Sequence, residues 1–194
     1  MNEKLEKIID FIVLMDKMKT IERRTKLIFQ DTRENDAEHS FHITLMASIL
    51  QEYAPDADLQ KTMEMCLVHD IVEIDAGDTF AYDEEGYKTK KDREQKAAQR
   101  IFGILPKKMG SYYKGLWGEF EEGKSPEAQF ANAMDRMQPI LNNIYNHGGT
   151  WNEYEVSWNQ LMGRMEPIRR FSEELFIFLA ERAKEYFEDA PHTL

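Results

Sequence analysis

The chain has 194 residues, of which 42% are hydrophobic and 31% are charged, a length and balance typical of one globular domain. Its formal net charge is −11, and an acidic surface disfavours binding to nucleic-acid polymers and to anionic membranes. Cys66 is the only cysteine, which excludes an intrachain disulfide and fits a reducing compartment.

The first predicted element is an amphipathic helix at the N-terminus. Apolar residues from Leu5 to Met15 recur at the i, i+3, i+4, i+7 spacing of one helix face. The polar and basic stretch 20–35 predicts a loop, at whose end Asn35 or Asp36 can cap the next helix.

Two further helices are predicted before residue 77. The second stops before Pro55, and the third runs from about Leu59 to Ile74 and is ended by Gly77. The residues expected to face the core are Phe41, Leu45, Ser48 and Ile49 on the second helix and Met63, Leu67 and Ile71 on the third.

The rest of the chain predicts a loop followed by more helices. Residues 75–88 contain two glycines and several acids, which favours a loop over a site. The helices expected after it are 90–103, 106–122, one that begins at Ser125 and is bent at Pro139, 152–165 and 168–188. No segment shows sustained alternation with period two, so the predicted fold class is all-α.

Four residues form a candidate metal site. His69 and Asp70 are adjacent, and His39 and Asp135 lie in apolar helical contexts far from them in the chain. If three helices bring these side chains together, two imidazoles and two carboxylates would form a mixed nitrogen and oxygen site that suits a divalent metal. Burial of Asp135 between apolar neighbours would also favour a compensating cation.

The pattern of His39, then His69-Asp70, then Asp135 resembles the H…HD…D signature of the HD-domain superfamily of metal-dependent phosphohydrolases. The resemblance covers about residues 5–145, and segments 33–40 and 69–78 are similar to the branch that contains 5′-deoxynucleotidases. It implies one helical-bundle domain over residues 1–194, with C-terminal helices at about 152–188.

The same resemblance implies roles for three more residues. Glu73 and Asp78 match the acids that serve the chemistry in that branch, the first on the attacking water and the second on the attack or the leaving group. Arg24, fifteen residues before His39, matches an arginine used on the substrate phosphate. Thr25 departs from the pattern, since some members have an aromatic residue there.

The function implied is hydrolysis of phosphomonoesters, with release of phosphate from nucleoside 5′-monophosphates and with deoxyribonucleotides favoured by the resemblance. The expected cofactor is one divalent ion, namely Mn, Co, Fe, Ni or Zn, with Mg also admitted. The open alternatives are a triphosphohydrolase of deoxynucleoside triphosphates, a phosphodiesterase, and a non-catalytic metal-stabilised module that binds a nucleotide.

Location is predicted from the N-terminus and the hydropathy of the chain, and assembly is predicted from the resemblance. Residues 1–6 lack the apolar region of a signal peptide, and no run approaches the roughly 18 apolar residues of a membrane span, so a cytoplasmic protein is expected. The family resemblance implies a homodimer, for which the C-terminal helix rich in Phe and Tyr is a candidate seam.

Overall fold

Helices supply most of the regular structure in the computed structural model, which describes residues 2–190 except for the side chain of Glu84. The helices are α1 (Glu3–Met15), α2 (Asp36–Ile49), α3 (Leu59–Val68), α4 (Glu73–Ala76), α5 (Glu84–Phe102), α6 (Lys107–Glu122), α7 (Pro126–Tyr145), α8 (Gly149–Glu153), α9 (Trp158–Phe171) and α10 (Glu173–Ala183). Short 3-10 turns lie at Asp16–Thr20, Gln51–Tyr53 and Lys184–Tyr186. The prediction of an all-α fold is confirmed.

A small hairpin occupies the segment that was predicted as a loop. Strands β1 (Glu22–Lys26) and β2 (Arg33–Asn35) pair antiparallel, with Glu22 opposite Asn35 and Lys26 opposite Arg33. The loop prediction for 20–35 was therefore wrong. Both strands consist of polar residues, because the hairpin is short and half-exposed, so no alternation of apolar side chains marks it in the sequence.

The third helix is shorter than predicted. It ends at Val68, and a tight turn over residues 69–72 precedes the four-residue helix α4. In this turn the Ile71 amide donates to the Val68 carbonyl and the Glu73 amide donates to the Asp70 carbonyl. The prediction of one helix to Ile74 was therefore wrong. The break was not foreseen because residues 69–74 contain no proline or glycine.

The apolar face of α2 was also assigned wrongly. Phe41, Leu45 and Ile49 are 67%, 46% and 68% exposed. The buried residues of α2 are Asp36, His39, Ser40, Ile43, Met46 and Ala47. The helix is rotated so that His39 faces inward, and the more hydrophobic stripe is left outside.

Other predicted apolar positions, among them Ile12 of α1 at 57% exposed, differ in the same way. Leu67 on α3 is half-exposed, whereas Ile71 is buried as expected. On α1, Leu5 and Ile9 are exposed, and the residues that pack against the core are Phe11, Leu14 and Met15.

The later helix boundaries depend on polar caps. The Asp83 side chain accepts from the Gly86 amide, so α5 begins before the predicted residue 90 and the loop is confined to 77–83. Ser157 and Ser172 cap α9 and α10, so the predicted helices 152–165 and 168–188 were misplaced. These caps act because a side-chain oxygen satisfies an amide that has no partner within its own helix.

Helix α7 is the centre of the core. It contacts α2, α3, α6, α9 and α10, and it continues past Pro139 to Tyr145. The fully buried residues around it include Phe130, Met134, Leu161, Met165, Ile168 and Leu179. Because α2, α3 and α7 contact one another, side chains from all three can meet at one point. Within residues 2–190, no helix is both long and apolar enough to cross a membrane.

The rotation of α2 gives a matched test on one helix. Ile43→Ala removes a fully buried side chain and should lower the free energy of unfolding by about 2–5 kcal/mol. Ile49→Ala removes an exposed side chain and should change it by about 0.5 kcal/mol or less. Urea unfolding at low protein concentration measures both values. Equal losses would contradict the burial of this helix.

Candidate metal centre

All four predicted metal ligands meet where α2, α7 and the turn after α3 come together. The Nε2 atom of His39 lies 3.1 Å from Oδ1 of Asp135 and 3.9 Å from Oδ2 of Asp70. The Nε2 atom of His69 lies 3.0 Å from Oδ2 of Asp70 and 3.7 Å from Oδ1 of Asp135. Both imidazoles are buried, and each carboxylate side chain is 13% exposed.

Hydrogen bonds on the far side of each ring show that its Nδ1 carries a hydrogen. The Nδ1 atom of His39 is 2.9 Å from Oε1 of Gln138, and that of His69 is 2.9 Å from the carbonyl of Cys66. Both oxygens can only accept, so each Nδ1 carries a hydrogen, and Nε2 is the ring atom left to bind a metal ion. Metal-binding histidines are oriented in this way by their second nitrogen.

The amide of Gln138 is itself oriented by a buried acid on the hairpin. Its Nε2 donates to Oε2 of Glu34 at 2.7 Å, and Glu34 also accepts from Asn142. Since a carboxylate only accepts, the amide nitrogen must face Glu34, and the amide oxygen must face His39. Neither Gln138 nor Glu34 was predicted, because a glutamine and a glutamate far apart in sequence carry no motif.

The residues present fit a metal ion. Nε2 of His69 is buried and has no hydrogen-bond partner within residues 2–190, and it faces two carboxylates. Burial by itself lowers the pKa of His69, but the neighbouring Asp70 and Asp135 raise this pKa to about 10. His39, His69 and Asp70 each offer an atom, and these atoms lie within 4.8 Å of one another. A positive charge is therefore favoured here, and this nitrogen and oxygen set suits a divalent transition metal.

Arg23, not Arg24, enters the carboxylate cluster. Its Nη1 lies 2.6 Å from Oδ2 of Asp70 and 3.3 Å from Oδ1 of Asp36, and its Nε lies 3.4 Å from Oε1 of Glu34. Successive side chains of a strand point to opposite faces, so Arg24 on β1 stays exposed. Arg23 was not predicted, because its acidic partners come together only in the fold.

A second group of acids adjoins the predicted ligands. Asp36, Asp70 and Glu73 offer carboxylate oxygens within 4.8 Å of one another. Burial and the charge of Asp70 raise the pKa of Asp36 to about 8, with Arg23 opposing the shift. Burial, followed by the charges of Asp70 and Asp36, raises the pKa of Glu73 well above its usual value. Asp36 was expected only as a possible cap, and the cap is in fact Asn35.

Two neighbouring spaces, which share several lining residues, border this centre. A cleft of about 640 Å³ is lined by His69, Asp70, Glu73, Asp78 and Asp135 among others. A cavity of about 70 Å³ beside it is lined by Arg24, Asp78, Arg136 and Arg164 among others. Asp78 follows Gly77, whose positive φ of 75° ends α4, and it borders both spaces. Burial raises the pKa of Asp78, while Arg23 opposes the shift.

Two arginines at this border were not predicted. Arg136 follows Asp135 on α7, and Nη2 of Arg164 on α9 lies 4.0 Å from Oδ2 of Asp135. Burial and the like charge of Arg164 lower the pKa of Arg136. The helical spacing of apolar residues along α7 indicates that Arg136 lies at the edge of the buried face. Only the packing of α9 brings Arg164 to the same place.

Comparison with known proteins identifies the family of the chain and several relatives. The family model described as HD domain matches residues 15–175. The chain is 26% identical to 5′-deoxynucleotidase HDDC2 of Danio rerio over 139 residues, which are 71% of this chain and 68% of that protein. The protein of the same name from Dictyostelium discoideum is 26% identical over 166 residues, with 81% of this chain and 83% of that protein covered.

Solved structures extend the likeness over more of the chain. A protein from Magnetospirillum magnetotacticum, described as a predicted metal-dependent phosphohydrolase, has a TM-score of 0.90 and 42% identity, with 95% of this chain and 93% of that chain covered. A protein from Pyrococcus horikoshii has a TM-score of 0.70 and 23% identity, with 90% of this chain and 99% of that chain covered, and it shares the fold.

Removal of the Gln138 amide should weaken metal binding without touching a predicted ligand. We expect Gln138→Leu to lower the affinity for Mn²⁺ or Co²⁺ by about 10–100-fold, because His39 loses its orienting acceptor. Chelator competition measures the affinity, and thermal unfolding without metal checks the fold. Gln129→Leu, at an exposed position of the same helix, is the control. Unchanged affinity in a folded Gln138→Leu protein would refute this orienting role.

Metal binding should also release protons. With a pKa of about 10, His69 carries a proton on Nε2 at neutral pH when no cation is bound. A ligating nitrogen must be deprotonated, so the affinity should rise with pH below this value, and binding should release roughly one proton. Calorimetry in buffers of different ionisation enthalpy measures that number. An affinity that does not depend on pH would count against His69 as a ligand.

Proposed function

The chain belongs to the HD domain family, and from this premise we propose that it is a metal-dependent phosphomonoesterase of nucleoside 5′-monophosphates, deoxyribonucleotides included. The observation that carries the proposal is the meeting of two imidazole Nε2 atoms and two carboxylates at the wall of a cleft. The names of the relatives, 5′-deoxynucleotidase and metal-dependent phosphohydrolase, support the substrate class and the reaction.

We assign the metal to His39, His69, Asp70 and Asp135. Mn, Co, Fe, Ni and Zn all suit this set, and Mg is admitted. When bound, the ion supplies Lewis-acid stabilisation of phosphoryl charge and lowers the pKa of water. Arg23 holds Asp70 and Asp36 in place and opposes the rise in the pKa of Asp36, since its guanidinium lies within ion-pair distance of both carboxylates.

The proposed reaction needs one base and one acid beside the ligands. Glu73 orients the attacking water and takes its proton as the water oxygen bonds to phosphorus. The bond from phosphorus to the 5′ oxygen breaks, and Asp78 gives its proton to the leaving alkoxide. Burial raises the pKa of both carboxyl groups, so both can exchange protons nearer neutral pH than an ordinary acid does. Arg24 holds the phosphate from the exposed side of the small cavity.

The rest of the assignment concerns the whole molecule. We propose one domain over residues 1–194, a cytoplasmic location and a homodimer. Exposed apolar side chains support association. Ile177 and Phe178 on α10 are each 40% exposed, and α1 and α2 carry further exposed apolar side chains. Sedimentation velocity would measure this state, and a monomer at all concentrations would refute the dimer.

A phosphate-release screen tests the function. Chelated protein is resupplied with each divalent metal and offered ribo- and deoxyribonucleoside 5′-monophosphates, and inorganic phosphate is measured. Release of phosphate from the monophosphates is expected. Release of triphosphate from deoxynucleoside triphosphates, or cleavage only of phosphodiesters, would establish an alternative instead. No hydrolysis of any phosphate ester would favour the non-catalytic module.

The role of Glu73 has its own test. Glu73→Gln should lower turnover by about 10²–10⁴-fold while metal content is kept, because the base is lost and no predicted ligand is changed. Glu85→Gln at an exposed position of α5 is the control. Full turnover by Glu73→Gln would remove this residue from the mechanism.

A further inference from the structure

Two arginines beside the predicted metal site have no part in the mechanism above. Arg136 and Arg164 both line the large cleft, and both line the small cavity that Arg24 and Asp78 also border. Nη2 of Arg164 lies 4.0 Å from Oδ2 of Asp135. Both arginines therefore line the cleft that Asp135 also lines, and the guanidinium group of Arg164 lies beside the carboxylate that we assign to the metal.

These two charges are poorly compensated within residues 2–190. Among the described residues, Nε of Arg136 is buried without a hydrogen-bond partner, and the contact of Arg164 with Asp135 is the one ion pair within 4.0 Å that involves either arginine. Arg23 differs, since three carboxylates surround it, and Arg33 is paired with Glu153. Two partly desolvated like charges repel each other, so an anion between them would be stabilised.

Asp135 is not free to serve as that anion. Its Oδ1 faces the Nε2 atoms of both histidines, and a bound divalent ion would engage its charge further. The compensating anion must therefore come from the cleft. A guanidinium group offers a planar fork of donors that matches the oxygens of a phosphate.

We propose that Arg136 and Arg164 bind the phosphoryl group of the substrate and the inorganic phosphate product, on the Asp135 side of the metal site. This inference rests on the proposed function for its substrate, while the anion site itself rests on the two arginines. Arg24 contacts the same group from the hairpin side of the cavity. Arg23 takes no part, because its donors are directed to Asp36, Asp70 and Glu34.

Direct binding of inorganic phosphate to the metal-loaded protein tests the proposal without turnover. Arg164→Gln and Arg136→Gln should each weaken phosphate binding by about tenfold or more, since each loses charge-assisted hydrogen bonds. Arg164→Lys should retain part of the affinity, and KM for a nucleoside monophosphate should rise in parallel. Metal content should not change in any variant.

Arg170→Gln is the matched control, because Arg170 is an exposed residue of the same helix α9 that pairs with Glu166. It should bind phosphate as the wild-type protein does. If Arg136→Gln does not fold, Arg164→Gln and Arg164→Lys decide the question alone.

The outcomes separate this inference from the proposed function. Unchanged phosphate affinity in folded Arg164→Gln and Arg136→Gln, or loss of affinity in Arg24→Gln alone, would overturn the inference even if nucleotides are hydrolysed. Phosphate binding that depends on Arg136 and Arg164 in a protein that hydrolyses no phosphomonoester would uphold the anion site and overturn the function.

Discussion

The arrangement around the cleft depends on two buried imidazoles whose Nε2 atoms are turned toward carboxylates. An unprotonated ring nitrogen and a carboxylate repel each other unless a proton or a metal ion lies between them, so this arrangement favours a bound positive charge. The far nitrogen of each ring is held by an acceptor, which prevents the rings from turning away. The packing of α2, α3 and α7 then has to keep these four side chains together.

Local positive charge also explains how a chain with a negative net charge can bind a phosphate. The protein carries a net charge of −11, yet Arg23, Arg24, Arg136 and Arg164 all border one small cavity. Local cations decide the potential at short range, while the overall charge acts over longer distances and is screened by salt. The charge of Asp70, which is paired with Arg23, adds to burial in raising the pKa of Glu73 and Asp78, the two groups proposed to move protons.

The sequence predicted the fold class and the meeting of His39, His69, Asp70 and Asp135, because helical periodicity is a strong signal and the H…HD…D pattern adds long-range information. It failed for the inward face of α2, where burial of the polar His39 outweighs that of Phe41 and Ile49. It failed for Arg23, Gln138 and Arg164, since their partners are more than ten residues away and follow no spacing rule. The hairpin and the turn at 69–72 were missed because neither has a local sequence mark.

The two imidazoles differ in how their orientation is encoded. His69 is held by a main-chain carbonyl, which every residue type at position 66 would supply, so substitution there leaves that anchor in place. His39 is held by the side chain of Gln138, which is in turn held by Glu34 on the hairpin. Mutations at Gln138 and Glu34 can therefore alter how a metal is held, although neither residue is assigned as a ligand and every assigned ligand is retained.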